Sequence, residues 1–245
     1  MKVLVICARR YNGHELWTAL MVFQKNGIDF EVVSQDTQIA DEITGEPNIL
    51  DRRVYDVGKY EVESQFDGVM VVSGNMKDTE AYWDDHHVLD LIHTAAASGK
   101  VVGAICCSVP TLSGIVDGKT VSFYPLVRSK QRLTAGGAEL ATVAVSTDGN
   151  VCTAEHQMAT EMWAENFVDR LNGDEPRWIL QDSGYVPKGR PRKPIPELED
   201  LKRKQAGGVE GPEKCPNCNF TTTILDGRVK CPKCQEDLTY DPMSS

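Results

Sequence analysis

The sequence predicts an α/β fold in which a mostly parallel sheet is flanked by helices, with a small zinc ribbon after it. Three observations predict this. Short apolar runs alternate with helix-patterned stretches over residues 1–173. The runs are continuously apolar, as strands covered on both faces must be. Two Cys-x2-Cys pairs, Cys215/Cys218 and Cys231/Cys234, stand in compact polar sequence near the end of the chain.

The elements follow in order. Residues 3–7 form the first apolar run and run straight into Arg9 and Arg10 with no small-residue cleavage site, so they read as a buried strand and not a signal peptide. Residues 15–26 carry Leu16, Ala19, Leu20 and Phe23 at helical spacing, and Gly27 caps them. Residues 30–33 are the next strand. Residues 68–72 are another, ending at Ser73-Gly74-Asn75. Residues 79–98 read as a helix with Leu89, Ile92 and Ala96 on one face and Gly99 past its end. Residues 101–105 form a strand that stops at Cys106. A short helix follows, then strands near 120–123, 142–146 and 150–153. A helix over 158–171 is expected to bury Met158, Met162, Phe167 and Leu171, and Gly173 ends it. From 174 to 211 the chain reads as a linker broken by Pro187, Pro191, Pro194 and Pro196. Trp178, Ile179, Leu180 and Tyr185 are expected to pack part of it on the first domain, and residues 197–205 suit a short helix.

Composition excludes several function classes. The chain has 245 residues and a formal net charge of −10. Broad binding to nucleic acid or to an anionic membrane needs basic surface, which this balance disfavours. No apolar run approaches the ~20 residues of a spanning helix, and the cytoplasm is the expected compartment. In that setting the eight cysteines point to metal or catalysis before disulfides. Cys7 and Cys152 lie in apolar strands and read as core.

The last four cysteines read as ligands of one structural zinc. Two residues between cysteines let a tight turn aim both sulfurs at one point, and two such turns supply a tetrahedral thiolate site. The stretch between the pairs, residues 220–230, reads as strand, Asp-Gly turn, strand. Residues 212–245 are too few to bury a core, so the metal must supply the folding free energy, about 10–16 kcal/mol in small fingers. Four cysteines leave no open position for catalysis. With Phe220 and Tyr240 as the aromatics there, no nucleic-acid face is evident, and contact with a protein partner or a substrate lid is the expected role.

The chemistry-bearing stretch is Val-Val-Gly-Ala-Ile-Cys106-Cys107-Ser-Val-Pro110. An apolar strand meets a cysteine at the start of a helix, the arrangement of a nucleophile elbow. Backbone N–H groups at a helix start lower a thiol's pKa and can hold an oxyanion. Arg9 and Arg10, just past the first strand, lie at the carboxyl edge where such sheets bind ligands, and could hold an anionic substrate group. His86 and His87 are poorly placed for a shared metal.

Gly-Ala-Ile-Cys106 with Pro110 resembles the elbow of the ThiJ/PfpI family, within the class I glutamine amidotransferase-like superfamily of flavodoxin-like folds. Asn12-Gly-His-Glu15, Ile43-Thr-Gly45, residues 66–75, Tyr124-Pro125 and Cys152-Thr-Ala-Glu-His-Gln157 are similar to further landmarks of that family, in the same order. The resemblance covers about residues 1–173. It implies Cys106 as nucleophile, Glu15 as the acid beside its sulfur, and the backbone N–H groups of Asn75 and Cys107 as oxyanion donors. It also implies a small-molecule substrate and a homo-oligomer. The chain departs from the family where Cys107 replaces a histidine, Asn75 a glycine and Tyr124 a histidine. His156 or His14 could then stand in as the base. Three functions compete: a cysteine enzyme of amidase, hydratase or glyoxalase/deglycase type; a redox-sensing or chaperone-like stress protein; and a module that recruits a protein through its ribbon.

Overall fold

The structure, a computed structural model, describes residues 1–141, 143–181 and 184–187 and, further on, the short strands Glu213–Lys214, Thr221–Thr222, Val229–Lys230 and Asp237–Leu238. The chain divides into two compact units, Met1–Gly189 and Arg190–Ser245.

The first unit is built on a six-stranded sheet of β1 (Lys2–Cys7), β2 (Asp29–Val33), β3 (Gly68–Val72), β4 (Val101–Ile105), β5 (Val145–Asp148) and β6 (Val151–Ala154). Their spatial order is β5-β6-β4-β3-β1-β2. Every pairing is parallel except β5 with β6. The helices are α1 (Gly13–Lys25), α2 (Lys59–Gln65), α3 (Met76–Glu80), α4 (His86–Ala97), α5 (Val127–Ala135) and α6 (Thr160–Leu171).

Successive side chains of β1 leave the sheet on opposite sides. Val3, Val5 and Cys7 join a core with Leu16 and Phe23 of α1 and Trp163 and Phe167 of α6. Leu4 and Ile6 join a second core with Val88, Leu91 and Ile92 of α4. Burial on both faces is why the strand reads as one apolar run. Phe167 packs 5.8 Å from Phe23, centroid to centroid. Its ring also lies within 3.0 Å of where a Cβ would stand on Gly68 or Gly103, so both strands need glycine there.

Several expectations are corrected. The helix expected over 79–98 is broken into α3, a 3-10 turn at Ala81–Trp83, and α4. Asp85 restarts it: its carboxylate accepts from the N–H groups of His87 (3.0 Å) and Val88 (3.2 Å). The restart rotates the buried face to Val88, Leu91, Ile92 and Ala95. Met158 is 70 % exposed because α6 begins only at Thr160. The strand near 120 lies outside the main sheet, where Thr120–Ser122 pairs with Glu139–Ala141. Arg10–Tyr11, Gln38–Asp41 and Pro47–Ile49 form a small three-stranded sheet that the hydropathy pattern does not announce.

The segment past residue 173 is held on α6, so the first unit runs on to Gly189. Buried Asn166 donates to Trp178 O and accepts from Trp178 N, both at 2.9 Å. Arg177 pairs with Asp169, its Nε 2.8 Å from Oδ2. Trp178–Gln181 then pairs antiparallel with Gly184–Pro187. In the second unit, Glu213–Lys214 pairs with Thr221–Thr222, and Val229–Lys230 with Asp237–Leu238. Each pairing spans one Cys-x2-Cys, where the sequence suggested a hairpin between the two cysteine pairs. Cys215, Cys218, Cys231 and Cys234 themselves, and the proline-rich residues 188–212, lie outside the described residues.

Candidate active site

The order β4-β3-β1 sets three strand ends side by side. β4 delivers Cys106, β3 delivers Ser73, and the chain leaving β1 enters α1, which carries Glu15. All three sit at the carboxyl edge of the parallel sheet, where such folds place ligand chemistry.

Cys106 has φ +56°, the one positive φ at a non-glycine among the described residues. A left-handed backbone costs a residue with a side chain about 1–3 kcal/mol and persists only where its surroundings enforce it. Here they do. Ser108 Oγ accepts from Ile105 N (3.1 Å) and lies 2.9 Å from Val71 O as donor. Trp83 Nε1 donates to Cys107 O at 2.9 Å. The short helix expected after the elbow strand is a 3-10 helix, Cys106–Leu112, containing Pro110.

Glu15 is fully buried. Its Oε2 accepts from Ser73 N (2.9 Å) and Ser73 Oγ (2.7 Å), while Oε1 has no hydrogen-bond partner among the described residues. Burial first, and then the charge of Cys106, raise its pKa well above the usual carboxylate range against the two Ser73 hydrogen bonds. Asn12 fixes the geometry. Its side chain caps α1 by accepting from Glu15 N (3.2 Å), and its backbone N–H donates to Ser73 O (2.9 Å).

The Cys106 thiol corrects an expectation. Its pKa is raised, not lowered: the hydrogen bond with Cys107 is the largest cause, followed by burial and the charge of Cys107. The two sulfurs are 3.7 Å apart. The Ser73 hydroxyl and the Cys107 backbone N–H face the sulfur and act the other way. On balance these effects favour the neutral thiol at Cys106.

Asn75 is not an oxyanion donor in this geometry. Its N–H donates to Arg10 O at 2.7 Å, and the neighbouring Gly74 N donates to Thr79 Oγ1 at 3.0 Å. The chain after β1 crosses here so closely that a Cβ on Gly74 would lie 1.9 Å from Arg10 O. Arg9 and Arg10 both turn to Asp78, with Arg10 Nε 2.8 Å and Arg9 3.7 Å away. Burial opposes ionisation of Asp78, but the hydrogen bond and charge of Arg10 and the charge of Arg9 outweigh it and hold its pKa below the usual value. His156 caps the turn that follows it, its Nδ1 accepting from Met158 N at 3.1 Å. His14 is exposed on α1.

Residues 1–170 match the family model described as the DJ-1/PfpI family. The chain belongs to the DJ-1/PfpI family. An uncharacterized protein of Methanocaldococcus jannaschii is 28% identical over 155 residues, which are 62% of this chain and 73% of that protein. Protein dj-1beta of Drosophila melanogaster is 25% identical over 174 residues, covering 70% of this chain and 90% of its own. The crystal structure of a ThiJ/PfpI domain protein from Brachyspira murdochii superposes with a TM-score of 0.61 at 20% identity, over 70% of this chain and 96% of that one. The structural likeness shows the fold.

Within this DJ-1/PfpI site, sequence reasoning placed Cys106, Cys107 and Glu15 in one locality. It missed three neighbours. Ser73 was visible only as part of a turn, although a hydroxyl residue ending the strand beside the elbow strand was the available signal. Asp78 pairs with both arginines, and Asn12 ties α1 to β3. Among the described residues no cluster of three or more His, Cys, Asp or Glu could hold a metal, and no helix is long and apolar enough to cross a membrane.

Proposed function

We propose that the chain is a cysteine-dependent enzyme in which the Cys106 sulfur attacks a small electrophile, such as an amide, an isonitrile or a reactive carbonyl. The observation that supports this is the left-handed Cys106 at the carboxyl edge of the sheet, in the same locality as the buried Glu15 on which its charge acts. Attack forms a sulfur–carbon bond and moves an electron pair onto the substrate's heteroatom. The Cys107 N–H is the backbone donor that faces this position. Glu15 in its neutral form gives its proton to that heteroatom or leaving group and takes the proton released as the Cys106 S–H bond breaks, so its own protonation is restored. Replacing Cys106→Ser or Glu15→Gln should each lower turnover at least about a hundredfold without loss of fold. Full activity in either variant overturns the reading.

The 3.7 Å between the Cys106 and Cys107 sulfurs favours a second reading, redox sensing. A peroxide would oxidise the Cys106 sulfur to a sulfenic acid and leave as the alcohol or water. Further peroxide would carry it to the sulfinate. Mass spectrometry after one equivalent of hydrogen peroxide tests this: a Cys106 that stays a free thiol while methionines oxidise removes the sensor.

Structural zinc on Cys215, Cys218, Cys231 and Cys234 is part of the same proposal, supported by the ligand spacing and by the strand pairs that bracket each Cys-x2-Cys. A homo-oligomer, a protein partner for the ribbon and a cytoplasmic location belong to the proposal too. The free thiols at Cys7, Cys106, Cys107 and Cys152 suit a reducing compartment.

A further inference from the structure

The two cysteines of the elbow are adjacent in sequence, both free, and in contact. Their sulfurs lie 3.7 Å apart, and either can donate to the other. That separation discriminates among the fates of a dithiol. A disulfide needs its sulfurs at about 2.05 Å and its two Cα atoms about 4.4–6.8 Å apart. Neighbouring residues hold their Cα atoms at about 3.8 Å, so this pair closes on itself only with strain. Two sulfurs bonded to one tetrahedral atom at about 2.3 Å each, the length of a zinc–thiolate bond, stand about 3.8 Å apart. Cys106 and Cys107 already have the spacing of two ligands on one atom. We propose that their sulfurs form a bidentate site for a thiophilic centre with two exchangeable positions, and that its ligand class is the monosubstituted trivalent arsenicals. The site requires neither turnover nor oxidation, so it is independent of both readings above.

The number of donors selects the ligand. A structural zinc takes four protein ligands, and among the described residues no cluster of three or more His, Cys, Asp or Glu could hold a metal. An arsenical R–As(OH)2 asks for two sulfurs and brings its own third substituent. The step balances. Two S–H and two As–O bonds break, two As–S bonds form, and two waters leave with the thiol protons. Arsenic stays trivalent, and nothing is oxidised or reduced. The thiols enter as neutral S–H groups, and the balance of effects at Cys106 favours that form.

The scaffold holds the pair at this spacing. Cys106 is fixed at φ +56° where β4 ends. Trp83 Nε1 donates to Cys107 O at 2.9 Å. Pro110 supplies the reason for that bond. In a 3-10 helix the Cys107 carbonyl would accept from the N–H three residues on, and a proline there has none. The indole takes the vacant place. Trp83 is itself held by Arg132 of α5, whose guanidinium donates to Trp83 O and, from Nε at 3.2 Å, to Pro110 O. Cys106 is partly exposed and Cys107 is 6% exposed. An incoming arsenical therefore meets Cys106 first and closes onto Cys107. Cys7 and Cys152 are each 0% exposed and stand on separate strands, β1 and β6, so they make no second pair.

Phenylarsine oxide, a dihydroxide in water, is the probe. The full chain is loaded under native conditions, freed of excess reagent and challenged with increasing 2-mercaptoethanol. It is then alkylated with N-ethylmaleimide in denaturant and digested with trypsin. Residues 101–119 leave as one peptide whose cysteines are Cys106 and Cys107, so the other six do not enter the measurement. In the parent this peptide should carry one phenylarsenic and no maleimide. Cys107→Ser leaves a single sulfur. Its half-release should come at a monothiol concentration at least about a hundredfold lower, because the second contact is no longer intramolecular. Cys107→Ala carries the same expectation should the serine variant not fold. 2,3-Dimercaptopropanol, itself a dithiol, should strip the parent. A parent peptide with two maleimides and no arsenic overturns the site. So does a Cys107 variant that holds arsenic against the monothiol as well as the parent does. A Cys106→Ser protein that keeps its turnover would instead overturn the enzyme reading and leave this site standing.

Discussion

The buried carboxyl of Glu15 gives the residue scale its sharpest consequence. A carboxyl whose folded-state pKa is raised binds its proton more tightly folded than unfolded. The stability this contributes is fully present below the unfolded value, about 4.3, and is lost as pH rises through the folded value. Glu15 is raised, so the parent should lose stability on that rise, and Glu15→Gln, which cannot ionise, should not. Urea midpoints at pH 5 and pH 8 check this: the glutamine variant is expected to gain on the parent at the higher pH. A constant difference between the two proteins would mean that Glu15 is not the buried acid described. At this scale Cys106 was legible as a cysteine at a strand end, and Glu15 through the resemblance of residues 12–15 to the family's first helix. The sequence was silent on Ser73, since a serine at a strand end is commonplace and its meaning comes from β3 lying between β4 and β1. Nor could it show that the Asn75 N–H and the His156 Nδ1 each have another partner, because such partners are set by the fold. Arg10 O and Met158 N had claimed these two.

Elements explain why that locality is rigid. The central strands β1, β3 and β4 were legible because burial on both faces leaves no polar residue to interrupt their runs. The small sheet formed by Arg10–Tyr11, Gln38–Asp41 and Pro47–Ile49 was not, because its pairings are short and its side chains mixed. The break between α3 and α4 was hidden for a different reason: helical spacing continues across it, and only the capping geometry of Asp85 shows the restart. The contact that binds site to scaffold is α1 against α6, with Phe167 set between Phe23 and the glycines of β3 and β4. Phe167→Ala should therefore cost about 3–5 kcal/mol, because the gap borders sheet backbone and cannot collapse. Chemical denaturation measures it. A cost below about 1 kcal/mol would mean that the neighbouring side chains close the space.

At the scale of the whole molecule the chain is two separately compact units, and this separation can be tested through the metal. The second unit has few residues with which to bury a core, and its four described strands are two residues each. Strands that short do not hold themselves together in water. Four thiolates on one zinc would supply what they lack, since metal-binding free energy in such modules is folding free energy. The expected result is one zinc per chain by elemental analysis, lost when Cys215 and Cys231 are both replaced by serine. Chelation should abolish the protection from amide exchange at residues 213–214, 221–222, 229–230 and 237–238. Because Met1–Gly189 is compact by itself, the same treatment should leave the rate of Cys106 alkylation unchanged. Metal content of zero with the strands still protected would remove zinc from the account. Chelation that slowed Cys106 would mean that the second unit bears on the site, as a substrate lid would, and would favour that role over contact with a protein partner.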